Sequence, residues 1–177
     1  MYTAIVYFSK SGNNEYLAHK FYDKFSEKSN SKIFEIKAKG NINGFGFFWI
    51  LMNSILGKGV SIDFDFSKLE GVDRLVLFTP MWMGKLPSPI IKFISQISSS
   101  IKLGVISVSG GGESKTTLES QIESILGAKP DLYKHFYMSN LVEDKNRIET
   151  KELVKIKLND ENYQLISKDL EAIIKDL

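Results

Sequence analysis

An apolar run from Ala4 to Phe8 stops abruptly in Ser9-Lys10-Ser11-Gly12-Asn13-Asn14, and helical spacing begins at once afterwards with Leu17, Ala18, Phe21, Tyr22 and Phe25. A strand that ends in hydroxyls, glycine and amides immediately before a helix is built to hold an anion. The first turn of a helix leaves N–H groups without intrahelical acceptors, and the helix dipole adds partial positive charge beside them. Ser9 and Ser11 offer hydroxyl donors, Gly12 permits close backbone approach, and Asn13 or Asn14 is expected to cap the helix. Lys10 adds charge where it points inward, although a loop lysine is ordinarily solvated. An unspecialised polar turn would use the same residue types, so this segment alone does not decide between the two readings.

The rest of the chain alternates in the same way. Lys32 to Ile36 reads as a strand and Gly44 to Leu56 as an apolar, aromatic helix closed near Gly57. Arg74 to Thr79, with four successive large apolar residues, reads as a strand buried on both faces and therefore central. A helix over Pro87 to Ile97, a strand over Lys102 to Val108, a helix over Thr116 to Leu126, a strand over Tyr133 to Ser139 and a helix over Asn162 to Asp176 complete the pattern. Five strands alternating with five helices imply right-handed crossovers and one parallel sheet with helices on both faces. No repeat or linker divides the 177 residues, which suit a single domain. Leu141 to Asp160 is polar and poorly periodic.

Composition removes several chemistries. The chain has no cysteine, which excludes disulfides, thiolate nucleophiles and Cys-held metal clusters. Any redox activity must come from a bound cofactor. Only two histidines occur, His19 and His135, too few for a histidine metal cluster and awkward for a Ser/His/Asp triad, so each is read as surface or core filler. A net charge of +2 with dispersed lysines calls for neither nucleic acid nor an anionic membrane as partner. No apolar stretch reaches the roughly 20 residues of a membrane span, and no secretory signal opens the chain, so a cytoplasmic location is expected. Asp63 and Asp65 fall in a polar turn and receive no role.

Parallel sheets of this type bind ligands beyond the carboxyl ends of their strands, where the winding reverses. Two further loops lie there. Thr79-Pro80-Met81-Trp82-Met83-Gly84 carries a tryptophan and two methionines that would be wasted in water but would wall a flat aromatic ligand, unless the loop simply folds onto the core. Ser109-Gly110-Gly111-Gly112 offers backbone groups to the edge of a planar heterocycle. A phosphate, a ring face and a ring edge are the parts of flavin mononucleotide, FMN. Lys115 and Thr116 after a strand suggest instead a nucleotide P-loop, but its two required glycines are here Ser109 and Ser114.

Over nearly its whole length the chain resembles the flavodoxin family. Ser9 to Asn14 is similar to that family's phosphate loop, while Thr79 to Gly84 and Gly110 to Gly112 resemble its two flavin-flanking loops; Gly44 to Gly57 resembles the aromatic second helix of some flavodoxin-like groups. The resemblance implies a doubly wound five-stranded parallel sheet of order 2-1-3-4-5 and FMN as cofactor. Three departures stand out: Asn14 replaces the usual final hydroxyl, no aromatic stands between Ser109 and Thr116, and the chain lacks the acidity of flavodoxins that act as carriers. Two functions therefore remain open. One is an electron carrier that serves a redox protein partner; the other is an FMN-dependent reductase acting on a small-molecule acceptor such as a quinone.

Overall fold

A computed structural model describes residues 1–40, 42–110, 118–138 and 155–177. The main sheet contains β1 (Tyr2–Tyr7), β2 (Asn30–Glu35), β5 (Arg74–Pro80), β6 (Lys102–Ser109) and β7 (Leu132–Tyr137) in the order β2-β1-β5-β6-β7. Every neighbouring pair is parallel. Counting only these five strands in chain order gives 2-1-3-4-5, as expected. Between β2 and β5 two short strands, β3 (Lys37–Ala38) and β4 (Ile62–Asp63), pair antiparallel in a separate ribbon. Among the described residues the expected count of five strands thus rises to seven. Two-residue strands carry no periodic signal, and Asp63 lies in β4 rather than in a turn, whereas Asp65 caps a 3-10 turn over Phe66–Leu69 by accepting from Ser67 N.

Among the described residues there are five α-helices: α1 (Asn13–Ser26), α2 (Gly44–Ile55), α3 (Ser88–Ile94), α4 (Glu119–Leu126) and α5 (Asp160–Asp176). The apolar stripe of α1 (Leu17, Phe21, Phe25) and that of α5 (Tyr163, Ile166, Leu170, Ile173) cover one face together with Ile5, Val76 and Ile106. Helices α3 and α4 cover the other through Ile90, Phe93, Ile94 and Ile122 against Ala4, Leu75, Leu77 and Val105. Leu75 to Phe78 are wholly buried, as a strand covered on both faces must be. The capping box of Asn159 and Asn162 starts α5 within the stretch of poor periodicity, most of which (141–154) lies outside the described residues.

Helix α2 stacks on α3 rather than on the sheet, and a polar stitch joins them. Ser88 N donates to Ser54 Oγ (2.8 Å), Ser88 Oγ donates to Ile50 O (2.9 Å), and Ser54 Oγ donates to the same carbonyl (2.8 Å). Ser54 and Ser88 are both buried. Removing Ser54 Oγ orphans the Ser88 N–H, whereas removing Ser88 Oγ leaves Ile50 O still bonded. An unsatisfied buried donor costs about 1–3 kcal/mol and a lost net hydrogen bond about 1 kcal/mol. Denaturant midpoints should therefore show Ser54→Ala more destabilised than Ser88→Ala; the reverse order would contradict this stitch.

Candidate functional site

The phosphate-type loop is shaped by Gly12. Its left-handed backbone (φ 93°) makes it the N-cap residue of α1, and no side chain caps the helix, contrary to the expectation that Asn13 or Asn14 would do so. The helix's first backbone bond is Tyr16 N to Gly12 O (2.8 Å), so the N–H groups of Asn13, Asn14 and Glu15 have no acceptor inside the helix. Ser9 Oγ accepts from Gly12 N (3.1 Å), which holds the loop closed.

Both asparagines instead sit buried in the first helical turn. The Asn13 amide fastens the chain ahead of α5, donating to Ile156 O (3.0 Å) and accepting from Leu158 N (3.0 Å). Asn14 is 3% exposed, and its Oδ1 has no hydrogen-bond partner. A buried amide without partners is costly unless a ligand completes it.

These residues open onto a cleft of about 680 Å³ at the carboxyl ends of β1, β5 and β6. Lys10, Ser11, Asn13 and Asn14 line one end, Pro80, Met81, Trp82 and Met83 a wall, and Val108 and Gly110 the remaining strand edge. Phe47 and Leu51 of α2 contribute a further side that the sequence did not assign to the site. Lys10 is the one charged residue among the described lining residues, its Nζ 4.1 Å from the centre of the Phe47 ring, a cation–π contact rather than free solvation. A depression of about 330 Å³ along α1, lined by Glu15, His19, Lys20 and Asp23 among others, has no such apolar wall.

Trp82 is gripped edge-on by Phe8 (centroids 5.8 Å apart) and Phe47 (5.2 Å), so it both packs on the core and faces the cleft. Its backbone pairs with Lys85 in both directions (3.0 and 2.9 Å), enclosing a two-residue turn in which Met83 (φ 52°) and Gly84 (φ 74°) are both left-handed. That is the signature of a type I′ turn, which glycine and asparagine enter easily and methionine does not. Gln121 of α4 pins this turn, donating to Gly84 O (2.8 Å) and accepting from Leu86 N (3.1 Å). Thr79 is fully buried, with its hydroxyl turned to Pro80 O, and is not among the lining residues.

Ser109 closes β6 beside the cleft, and its hydroxyl lies 2.9 Å from His135 Nε2. Ser107 Oγ meets the other ring nitrogen, Nδ1. Burial pushes the His135 pKa down to about 4, so the ring is neutral near pH 7. One serine therefore donates to it and the other accepts from it. His135 is thus an organising group for the end of β6, not filler. Gly111, Gly112, Lys115 and Thr116 lie outside the described residues.

No family model matches the sequence and no curated protein resembles it closely enough to count. Solved structures do. A Lactobacillus acidophilus flavoprotein in complex with FMN matches with TM-score 0.57 at 22% identity, over 76% of this chain and 89% of its own. A Bacteroides eggerthii flavoprotein gives 0.60 at 17% identity, over 88% and 98%. A mutant flavodoxin from Pseudomonas aeruginosa gives 0.50 at 13%, over 100% and 99%. The fold is therefore flavodoxin-like.

Two outcomes follow from this geometry. Met83→Asn should raise stability by about 1 kcal/mol, the cost of holding a larger side chain left-handed, read as a higher denaturant midpoint; a lower midpoint would show the turn is not strained. Because the folded pKa of His135 lies below the ordinary 6.5, the unfolded chain binds the extra proton between about pH 6.5 and 4. Its stabilising contribution is complete above that window and is lost as pH falls through it. The pH 7 to pH 4 decline in melting temperature should be shallower in His135→Asn, and an equal decline would remove His135 as a cause.

Proposed function

We propose that this chain is an FMN-binding redox protein that passes electrons to a redox protein partner in the cytoplasm. The observation that carries the reading is the union of an anion-ready helix terminus and an aromatic wall in one cleft with no acidic residue among the described lining residues. Asn14 supplies the test of fit. It lines the cleft beside the N–H groups of the first helical turn that have no acceptor inside the helix, an arrangement that suits a phosphate. A neighbour of the same fold carries FMN.

In this reading Ser9, Lys10, Ser11, Gly12, Asn13 and Asn14 hold the phosphate end. Pro80, Met81, Trp82, Met83 and Gly84 wall the ring, and Ser109 with Gly110 to Gly112 borders its edge. Thr79 acts from behind, through the strand end, and Asn13 also ties the loop to 156–158. Bound FMN supplies the electron-transfer chemistry that a cysteine-free chain lacks. The protein's own part is to fix the ring against Trp82, exclude water with Met81 and Leu51, and balance the phosphate charge with Lys10 and backbone N–H groups.

A second reading, an FMN-dependent NAD(P)H or quinone-type reductase, draws support from one feature. Trp82 and Phe47 touch edge to face, so the aromatic groups of the lining form one wall rather than two facing plates. An open ring face would admit a small acceptor.

Absorption titration with FMN tests the common core of both readings. Trp82→Ala should weaken binding about tenfold or more, the loss typical of a central aromatic contact, and Ser11→Glu should weaken it further by setting a carboxylate against the phosphate. Full affinity in both variants would refute the site. Steady-state oxidation of NADPH with a quinone should be near zero for a carrier; sustained turnover would establish the reductase instead.

A further inference from the structure

Helix α2 is apolar all round, with no charged residue in its twelve positions. Helices of that kind are ordinarily buried in a core or inserted in a membrane. Here the inner face, Phe47, Ile50, Leu51 and Ser54, meets the cleft and α3. Among the described residues the outer face is left largely in water. Phe45 is 81% exposed, Phe48 54%, Trp49 60% and, just past the helix, Leu56 61%; Met83 on the neighbouring turn is 76% exposed. Positions 45, 48, 49, 52 and 56 fall on one stripe of a 3.6-residue period. If each large side chain offers about 200 Å², the protruding apolar area is roughly 650 Å², above the few hundred Å² ordinary for a monomer.

The chain segments that carry this stripe hold charge of one sign. The segments that build it and its borders, 8–14, 37–61 and 79–92, contain Lys10, Lys37, Lys39, Lys58, Lys85 and Lys92 and no aspartate or glutamate. Lys37 is paired with Glu35 (3.2 Å). The exposed Lys10, Lys39, Lys58 and Lys85 remain, on a chain whose total charge is only +2. Lys58 follows the helix directly. The Lys39 N–H bonds Ser61 O (2.9 Å) in the returning loop, Lys10 rides on Phe47, and Lys85 pairs with Trp82, which packs on the same ring.

We propose that this face docks on an anionic lipid bilayer, with Phe45, Phe48, Trp49 and Leu56 entering the interface and the lysines meeting the headgroups. Three physical points select this occupant. A second copy would bring two basic rims together, a like-charge arrangement that opposes self-association. The side chains protrude rather than line a groove, which suits a fluid acceptor. At 1.5 Å per residue the helix is about 18 Å long, too short to span a hydrocarbon core of about 30 Å, so it lies on the surface. Met83 belongs to both stripe and cleft, so docking sets the cleft mouth beside the headgroups. The inference does not rest on FMN binding, and the docking is expected with and without added FMN.

Flotation with vesicles of phosphatidylcholine and phosphatidylglycerol (7:3), against phosphatidylcholine alone, tests it. The full chain should float with the anionic vesicles and remain largely behind with the neutral ones at 0.1 M salt. Phe45→Ser/Phe48→Ser/Trp49→Ser, all at exposed positions, should abolish flotation with the far-ultraviolet circular dichroism unchanged. Lys39→Ser/Lys58→Ser/Lys85→Ser leaves the stripe intact and should weaken partitioning about a hundredfold, near a factor of five for each lysine. No flotation of the unaltered chain, equal flotation with neutral vesicles, or undiminished flotation of the aromatic variant would each overturn the proposal. So would a sedimentation result in which the stripe holds two copies, or an acidic protein partner that competes the chain off the vesicles.

Discussion

Burial of β5 on both faces is the constraint from which the rest of the arrangement follows. Leu75, Val76, Leu77 and Phe78 alternate between two hydrophobic clusters, one under α1 and α5, the other under α3 and α4. With both faces of β1, β5 and β6 closed, polar and ligand-binding groups can collect only where the strands end. The carboxyl ends of these three strands are adjacent in the sheet, so the segments leaving them share one cleft although they lie some 30 or 70 residues apart in sequence.

What the sequence made legible follows from how each feature is encoded. The apolar run from Leu75 and the stripes of α1 and α5 carry the periods of a doubly buried strand and of amphipathic helices, and they form as read. The ribbon of β3 and β4 has two residues on each side, too few for any period. Gly12 marks a point of close approach in the sequence, but its left-handed φ also takes the capping position and places Asn13 and Asn14 in the helix. Phe47 and Leu51 belong by sequence to an aromatic helix, and nothing local says that one side of that helix borders the cleft. Gln121 and His135 are further cases. Their partners, Gly84 and Leu86 or Ser107 and Ser109, become neighbours only once strand register and helix packing are set.

The cleft wall is held rather than relaxed. A left-handed methionine costs about 1–2 kcal/mol, yet the turn persists because Trp82 is clamped between two rings, its backbone is tied to Lys85, and Gln121 closes the far side. Two neutral hydrogen bonds contribute about 1 kcal/mol each, and each edge-to-face ring contact about 0.5–1.5 kcal/mol beyond its buried area. The sum exceeds the strain. Replacing Met83 with a residue suited to the turn would lower the energy of the fold, but it would also remove a long, adaptable side chain from the mouth of the site. Strain that one substitution could relieve is here offset by the contacts of its neighbours.

The two sides of α2 show how differently the same residue types act. Ile50, at 5% exposure, and Ser54 join the helix to α3, so the inner face contributes to the stability of the domain. Phe45 and Trp49 keep most of their surface in water, and apolar area that stays in water contributes little of the roughly 25 cal/mol per Å² gained by burial. Folding alone gives no reason for aromatics at those positions, since serine or lysine would keep the helix and improve solubility. Their benefit arises only in an encounter that removes them from water, and the lysines along the same border set the sign of charge that such a surface must carry.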